Sequence, residues 1–424
     1  MAHRSLGIGD IGVYVPAPEI GVETIVEERI RREPGIETQL RRAWETTGQK
    51  RMRYTEPWED TSTLAAESAM ALLRQNPGID PSRLRYLAVG TETGVDHSKA
   101  VAAYVEGMLQ RAGVPVPRTI STFQVQHACA GGALGAIGVA ALLSLSDRRE
   151  DTGLVLCSDV ARYESATTAE ITQGAGAAAL LVENDPALVE LDLSNMGFAS
   201  EDVDDFFRPL GSAVAKVRGG YSIQCYNKSL ELAFADHCER RGEKAEEVIA
   251  DTDYFVLHVP FRNMALRAMR KLLSSRLALG EAEADAILAA KSFQEGIDPI
   301  ANIGNTYTAS IFLSLAFLLN AQFKLIGEGI VGKRMILASY GSGNTMAVIS
   351  ATVAPRAPEV LARWKSGSVW DRARLTPWEE YEDWTGRAGG VEHGGVSVRE
   401  PAAGAEGFYL SRIREDGYRE YGFR

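Results

Sequence analysis

Cys129 lies in the run Gln126-His127-Ala128-Cys129-Ala130-Gly131-Gly132, between a β-rich stretch (118–125) and a helix of small residues (133–145). A cysteine at the start of a helix meets the positive end of the macrodipole and unpaired backbone N–H groups, and both favour the nucleophilic thiolate. The two glycines that follow allow a ligand to come close to the backbone. A single cysteine is more commonly a buried structural residue, so its company matters. Glu92 follows an expected strand at 85–90, His258 follows one at 254–257, and Asn305 stands in Gly304-Asn305-Thr306. Such positions, just past strand C-terminal ends, are where α/β folds display chemistry. The turn Gly341-Ser342-Gly343 adds backbone N–H groups that could face an oxyanion. Taken singly, Glu92 could cap a helix, His258 could be a satisfied core histidine, and Asn305 and Ser342 could serve turns. Together they describe one chemistry. A thiolate accepts an acyl group from a thioester. His258 and Asn305 hydrogen-bond a carbonyl whose charge grows, and Glu92, made basic by burial, takes a proton from the methyl beside a thioester. That set forms a carbon–carbon bond between two acyl units.

The elements that must hold these groups alternate along the chain. Asp60-Thr61 caps an alanine-rich helix at 62–73 that stops at Asn76-Pro77-Gly78. A buried strand at 85–90, a helix at 98–112, the strand–Cys129–helix unit and a strand at 153–158 follow. A strand at 177–182 comes after the glycine turn Gln173-Gly174-Ala175-Gly176. In the second half a long helix (222–240) leads to the strand at 254–257, which ends at His258-Val259-Pro260. Helices at 264–273 and 308–319 precede a strand at 335–339, the turn Tyr340-Gly341-Ser342-Gly343-Asn344 and a strand at 345–352. Alternation of this kind predicts an α/β fold with helices packed on a mainly parallel sheet. The two glycine turns, each feeding an apolar strand, point to a duplicated unit. The expected divisions are 1–185, carrying Glu92 and Cys129; 186–352, carrying His258, Asn305 and Ser342; and an irregular extension, 353–424. Pro355, Pro358, Pro377, Pro401, Gly386, Gly389, Gly390, Gly394 and Gly395 interrupt that extension, and Trp364, Trp370, Trp378 and Trp384 predict that it packs onto the body.

A chain of 424 residues exceeds one ordinary core. Its formal charge of −11 disfavours a nucleic-acid partner, which needs a basic surface. The local exception is Arg41, Arg42, Lys50, Arg51 and Arg53, either an anion site or a solvated helix end. The longest apolar stretch, 311–319, contains Ser314 and is too short to span a bilayer, so no membrane role is expected. The N-terminal residues show no apolar run before a cleavage site, so export is not expected. Cys129, Cys157, Cys225 and Cys238 have no CxxC spacing, which fits reduced thiols in the cytoplasm. His3, His97, His127, His237 and His393 do not pair with carboxylates at metalloprotease spacing, so no metal is expected; no Walker A loop or strand-borne GxGxxG occurs.

These residues sit in segments with a known counterpart. Gly90-Thr91-Glu92-Thr93, Ala128-Cys129, Ser158-Asp159-Val160-Ala161-Arg162-Tyr163 and Thr172-Gln173-Gly174-Ala175-Gly176-Ala177 belong to the first half. Asp205-Phe206-Phe207-Arg208-Pro209, Tyr221-Ser222-Ile223-Gln224-Cys225-Tyr226, His258-Val259-Pro260-Phe261, Gly304-Asn305-Thr306-Tyr307-Thr308 and Tyr340-Gly341-Ser342-Gly343 belong to the second, and Phe408-Tyr409-Leu410-Ser411-Arg412-Ile413 ends the series. In these segments the chain resembles hydroxymethylglutaryl-CoA (HMG-CoA) synthases of the thiolase superfamily, over nearly its whole length. The resemblance implies a thiolase-like, five-layered α/β/α/β/α fold and a homodimer. It implies that acetyl-CoA acetylates Cys129, that Glu92 deprotonates the acetyl methyl, and that His258 orients and polarises the ketone of acetoacetyl-CoA. Asn305 and Ser342 would hold acyl or thioester oxygens, with Asp159, Tyr163, Thr172, Asp205, Phe206 and Tyr340 shaping the substrate site. Lys50, Arg51 and Arg262 would meet CoA phosphates. Coenzyme A is then a substrate, and no cofactor is implied.

The chain departs from that family at Ala130, where a tyrosine usually follows the nucleophile, and at His127. Loss of the ring implies open space and a missing hydroxyl beside the thioester. The stretch Thr46-Thr47-Gly48-Gln49-Lys50-Arg51 is also similar to fatty-acid-initiating ketoacyl synthases, which lack the Glu92 element. Three alternatives stay open at this point: the same condensation on an acyl-carrier-protein-bound β-ketoacyl chain, a ketoacyl synthase with another donor, and a non-catalytic thiolase-fold subunit.

Overall fold

The computed structural model describes residues 5–365, 367–387, 396–397, 401 and 406–424. The first half contributes β1 (Leu6–Tyr14), α1 (Thr61–Gln75), β2 (Leu84–Gly90), α2 (Val101–Arg111), β3 (Ser121–Val125), α3 (Gly131–Ser144), β4 (Thr152–Ala161) and β5 (Gly174–Asn184). The second contributes β6 (Val189–Ser200), α4 (Gly219–Arg241), β7 (Tyr254–Leu257), α5 (Arg262–Leu277), α6 (Ser310–Ile326), β8 (Arg334–Gly341) and β9 (Thr345–Val353). These nine strands lie in the order β7-β8-β9-β6-β1-β5-β4-β2-β3. From the centre outward the halves therefore read β1-β5-β4-β2-β3 and β6-β9-β8-β7, which is one topology used twice, the second copy a strand short. The two copies join where β1 and β6 pair antiparallel at Leu6–Leu191, Gly7–Glu190 and Ile8–Val189.

The sheet is mixed rather than mainly parallel. Crossover connections make β2·β3, β2·β4 and β7·β8 parallel. In each half the last strand then turns back antiparallel: β5 between β4 and β1, β9 between β8 and β6. Both faces of the strands are covered, which is why they read as unbroken apolar runs. Along β4, Leu154 and Leu156 join α1 and α2 in one core, whereas Val155 and Cys157 join α3 and the second half in another. Residues of α3 (Ala133, Ala136, Val139) and α6 (Ile311, Leu315, Leu318) share that central core with strands of both halves. Helices α1 and α2 cover one outer face, and α4 and α5 the other. The layering is α/β/α/β/α, the thiolase-like arrangement.

Several boundaries differ for local reasons. Asp60 alone caps α1, accepting from the N–H groups of Ser62 (2.9 Å) and Thr63 (3.1 Å), so Thr61 is already helical. Helix α2 starts at Val101 because Asp96 takes the N–H groups of Ser98 and Lys99 into a turn. The glycines at 174 and 176 form no turn; both lie inside β5. A Cβ on Gly174 would stand 2.6 Å from the Gly304 carbonyl carbon, so the residue serves a close backbone crossing next to Asn305. Helical structure around α6 runs from Tyr307 to Ile330, long and apolar enough to cross a membrane, but it is largely buried in the protein core.

The extension is more regular than its prolines and glycines suggest. Phe408–Ile413 and Arg419–Phe423 form an antiparallel hairpin, and Trp378–Gly386 is a helix that buries Trp378, Tyr381 and Trp384. Trp364 and Trp370 pack against the central core. His3, Gly389, Gly390, His393, Gly394 and Gly395 lie outside the described residues.

Candidate active site

The turn between β3 and α3 holds Ala128 at φ +42°, a conformation costly for a residue with a Cβ. Its carbonyl-side neighbour Cys129 is thereby turned into a cavity of about 920 Å³. The glycines that follow serve packing rather than ligand approach: a Cβ on Gly132 would stand 2.5 Å from Cys157 Sγ, and one on Gly90 would stand 2.3 Å from the Gly132 nitrogen.

Behind the thiol stands Glu92. Cys129 Sγ donates to Glu92 Oε1 at 3.0 Å. The loop carrying Glu92 is fixed by Asp159 on β4. Its Oδ1 accepts from Thr91 Oγ1 (2.8 Å), Glu92 N (2.9 Å), Thr93 N (3.0 Å) and Thr93 Oγ1 (2.7 Å). Its Oδ2 accepts from Thr308 N (3.1 Å) and Thr308 Oγ1 (2.5 Å) in the second half. Asp159 thus clamps the two halves together at the base, and it does not line the cavity.

Burial governs the charges here. It pushes Glu92 up to about 8, against the pull of Arg208, and it pushes the Cys129 thiol well up, with Glu92 adding to the rise. The helix terminus does not win: the resting nucleophile is a thiol with a base on its proton. Burial also lowers His258 to about 3, so its imidazole is neutral. His258 Nδ1 lies 2.5 Å from Ser310 Oγ.

Asn305 reaches the cavity through the crossing at Gly304, with its N–H donating to the Thr172 carbonyl (3.0 Å) and its Oδ1 accepting from Tyr307 N (2.9 Å). Tyr163, Phe206 and Tyr307 pack edge to face, with ring centroids 5.7–6.4 Å apart, in one cluster with Cys129. Thr172, Tyr340 and Ser342 complete the wall. Asp205 stands behind it: its carboxylate accepts from Tyr340 OH (2.8 Å), Ser222 Oγ (3.0 Å) and Gly343 N (2.9 Å). The Gly343 N–H is therefore already used, and of that turn Ser342 is the residue that faces the cavity.

Of the cations singled out from sequence, only Arg42 lies at the mouth. Arg51 pairs with Glu19 and Arg262 with Asp298 (2.7 Å), while Lys50 is exposed, its backbone bonded to Val22 and Ala301. None of the three lines the cavity; Arg42, Lys216, Arg218 and Arg267 do. Lys216 is held by Glu164 (3.3 Å) and Arg218 by Asp204 (2.9 Å). Arg208 was legible only as part of a motif. Its Nη2 lies 3.7 Å from Glu92 Oε2, its Nη1 donates to the Glu92 carbonyl, and its Nε and Nη2 are buried without hydrogen-bond partners. Ala130 is buried against Gly341, where an added Cβ would meet it at 2.8 Å, so no open space faces the thioester there. Gly341 is the last residue of β8, and Ala130 does not line the cavity. Among the described residues no cluster of His, Cys, Asp and Glu could hold a metal.

The site's composition can be set against known proteins. The family model for the hydroxymethylglutaryl-coenzyme A synthase N terminal matches residues 3–187, and that for the C terminal matches 189–292 and 287–371. The chain belongs to the hydroxymethylglutaryl-CoA synthase family. The hydroxymethylglutaryl-CoA synthase of Enterococcus faecalis is 31% identical over 340 residues, 80% of this chain and 80% of that protein. The one from Haloferax volcanii is 27% identical over 327 residues, 68% and 72% of the respective chains. The solved structure of MvaS in complex with 3-hydroxy-3-methylglutaryl coenzyme A superposes with a TM-score of 0.86, at 34% identity over 99% of both chains. The Curacin biosynthetic pathway HMG synthase shares the fold, with a TM-score of 0.84 at 24% identity over 99% of this chain and 100% of that one. As a member of the HMG-CoA synthase family, the chain is an acyl-transferring condensing enzyme.

Proposed function

We propose that this enzyme condenses an acetyl group held on Cys129 with the ketone of acetoacetyl-CoA and releases HMG-CoA for the mevalonate route to isoprenoids. The observation that carries the reading is the Cys129–Glu92 contact at the cavity base, with neutral His258 lining the same cavity. As the thiol attacks the thioester of acetyl-CoA, its proton passes to Glu92, and coenzyme A leaves as the thiol. Glu92, again a carboxylate, then removes a proton from the acetyl methyl. The resulting carbanion attacks the ketone carbon, whose oxygen gathers charge against the His258 ring and receives a proton as the tertiary alcohol forms. Water cleaves the Cys129 thioester and frees HMG-CoA. Asn305 and Ser342 are placed to hold acyl or thioester oxygens, and the four cations at the mouth suit the phosphates of coenzyme A.

Mass spectrometry of the protein and its products, after mixing with acetyl-CoA and acetoacetyl-CoA, tests this. We expect an acetyl adduct on Cys129 and HMG-CoA in solution; an adduct without HMG-CoA would reject the acceptor. A second reading, in which a carrier protein presents the β-ketoacyl chain, is favoured by the rim. There the exposed Phe207 and Val217 stand beside Lys216 and Arg218, a surface suited to an acidic carrier. Substituting carrier-bound acetoacetyl groups in the same assay separates the two.

We further assign the enzyme to the cytoplasm, on four free buried cysteines, and to a homodimer. Support for the dimer is β3, which ends the strand order with half-exposed residues and would leave an unpaired edge in a monomer. Light scattering of the purified protein measures that mass directly.

A further inference from the structure

One buried hydroxyl beside the site has a proton to place. Ser310, the first residue of α6, is fully buried. Its Oγ accepts the N–H of Val259 at 3.1 Å and lies 2.5 Å from His258 Nδ1. A serine hydroxyl carries one proton and two acceptor lone pairs, and a neutral imidazole carries one proton on one of two nitrogens. Val259 occupies one lone pair. Among the described residues Ser310 Oγ has no other hydrogen-bond partner, so the hydroxyl proton has a single acceptor within reach, His258 Nδ1. The opposite arrangement, with the ring proton on Nδ1, would aim that proton at the serine oxygen and strand the hydroxyl proton in a buried site. His258 Nε2, by contrast, has no hydrogen-bond partner among the described residues, and the residue lines the cavity with Cys129.

We infer that Ser310 is a positioning residue that fixes the tautomer of His258: it donates to Nδ1, which leaves the ring proton on Nε2 as a hydrogen-bond donor to the substrate. The direction matters because an Nε2–H stabilises the growing negative charge on a ketone oxygen, whereas an Nε2 lone pair would repel it. Burial keeps the ring neutral, so the tautomer alone decides what His258 offers. Ser310 acts entirely through the ring and touches no reacting atom. The consequence for rate rests on the proposed condensation; the tautomer itself does not.

The test is nitrogen NMR of the intact enzyme labelled with ¹⁵N-histidine and free of substrate, with the His258→Asn variant identifying which of the six histidines is read. We expect the wild-type ring to carry its proton on Nε2, with Nδ1 unprotonated and accepting a hydrogen bond. In Ser310→Ala the ring should become a mixture of tautomers or invert. The kcat for condensation should then fall ~10-fold or more while KM stays roughly constant, and acetyl uptake on Cys129 should persist. Ser310→Thr keeps the hydroxyl and should restore the wild-type spectrum. A wild-type proton on Nδ1 overturns the inference even if the Ser310 variants fail to fold, and so does an unchanged spectrum in a folded Ser310→Ala protein. Because the spectrum is recorded without substrate, a failure to make HMG-CoA would reject the proposed reaction and leave this result standing.

Discussion

In the first half, α3 is preceded by Ala128 at φ +42°, three residues before the helix begins; in the second, α6 is preceded at the same spacing by Tyr307 at φ +45°. Non-glycine residues in this region cost about 1–3 kcal/mol each, and both copies of the fold retain one at the same place. The residue after the strained position differs. In the first half it is Cys129, whose thiol faces the cavity and Glu92. In the second it is Thr308, whose hydroxyl donates to Asp159 Oδ2 and lies 2.9 Å from the Gly90 carbonyl, locking the halves together. The groups past the strand ends divide in the same manner: Glu92 beyond β2 is a base, and His258 beyond β7 is a neutral hydrogen-bonding ring. Duplicated backbone thus supplies two equivalent positions, and side-chain type makes one half the reacting half and the other the polarising half.

The sharpest way to break that division is Cys129→Ser. Acetyl uptake should fall by ~10³-fold or more, since a hydroxyl is far less readily ionised than a thiol beside the same base; intact-mass analysis reads it. An acetylated serine variant at wild-type rate would mean the reacting half has been misassigned. Next in size, Glu92→Ala and His258→Ala should each slow condensation ~10²-fold or more, and His258→Ala should leave acetyl transfer to Cys129 intact because the ring belongs to the second step. Quenched-flow measurement of the two steps separates them.

Burial shifts the two groups oppositely toward neutrality, and the pH profile exposes it. Condensation should rise as pH passes about 8, where Glu92 becomes a carboxylate, with no inflection near 6.5 from His258, which stays neutral down to about 3. Arg208→Gln removes the cation that favours the carboxylate, so the midpoint should move upward and the rate at pH 7 should drop several-fold; an unmoved midpoint would leave Arg208 a merely structural role. The smallest effect is on stability. Glu92 is raised in the folded state, so its contribution is present below its unfolded value and is lost as pH climbs through about 8. His258 is lowered, so its contribution is lost as pH falls from about 6.5 toward 3. Thermal unfolding of Glu92→Gln should therefore match wild type in acid and exceed it above pH 8, while a His258→Asn variant should flatten the acid limb.

Periodicity and motif carried the alternation of strands and helices, the duplication and the places of Cys129, Glu92, His258 and Asn305, because these depend on residues near in sequence. They carried less of what depends on contact. The glycines at 174 and 176 read as a turn, although Gly174 meets a crossing with Gly304, 130 residues away in sequence, and Gly176 packs against Thr306. Asp159 and Asp205 read as residues shaping the substrate site, and contact shows how: their oxygens are taken up bracing its walls. Lys50, Arg51 and Arg262 read as phosphate ligands, but two pair with nearby carboxylates and none lines the cavity.

By itself, then, the sequence determined the element types and the chemical identity of the groups at the strand ends, since hydrophobic period, turn residues and functional side chains are local properties. Only the tertiary structure decided their protonation and pairing. The helix start favours a thiolate at Cys129, but desolvation by residues distant in the chain outweighs it and holds the group as a thiol against Glu92. The hydroxyl beside His258 likewise comes from a helix 52 residues further on, and no local pattern could have put it there.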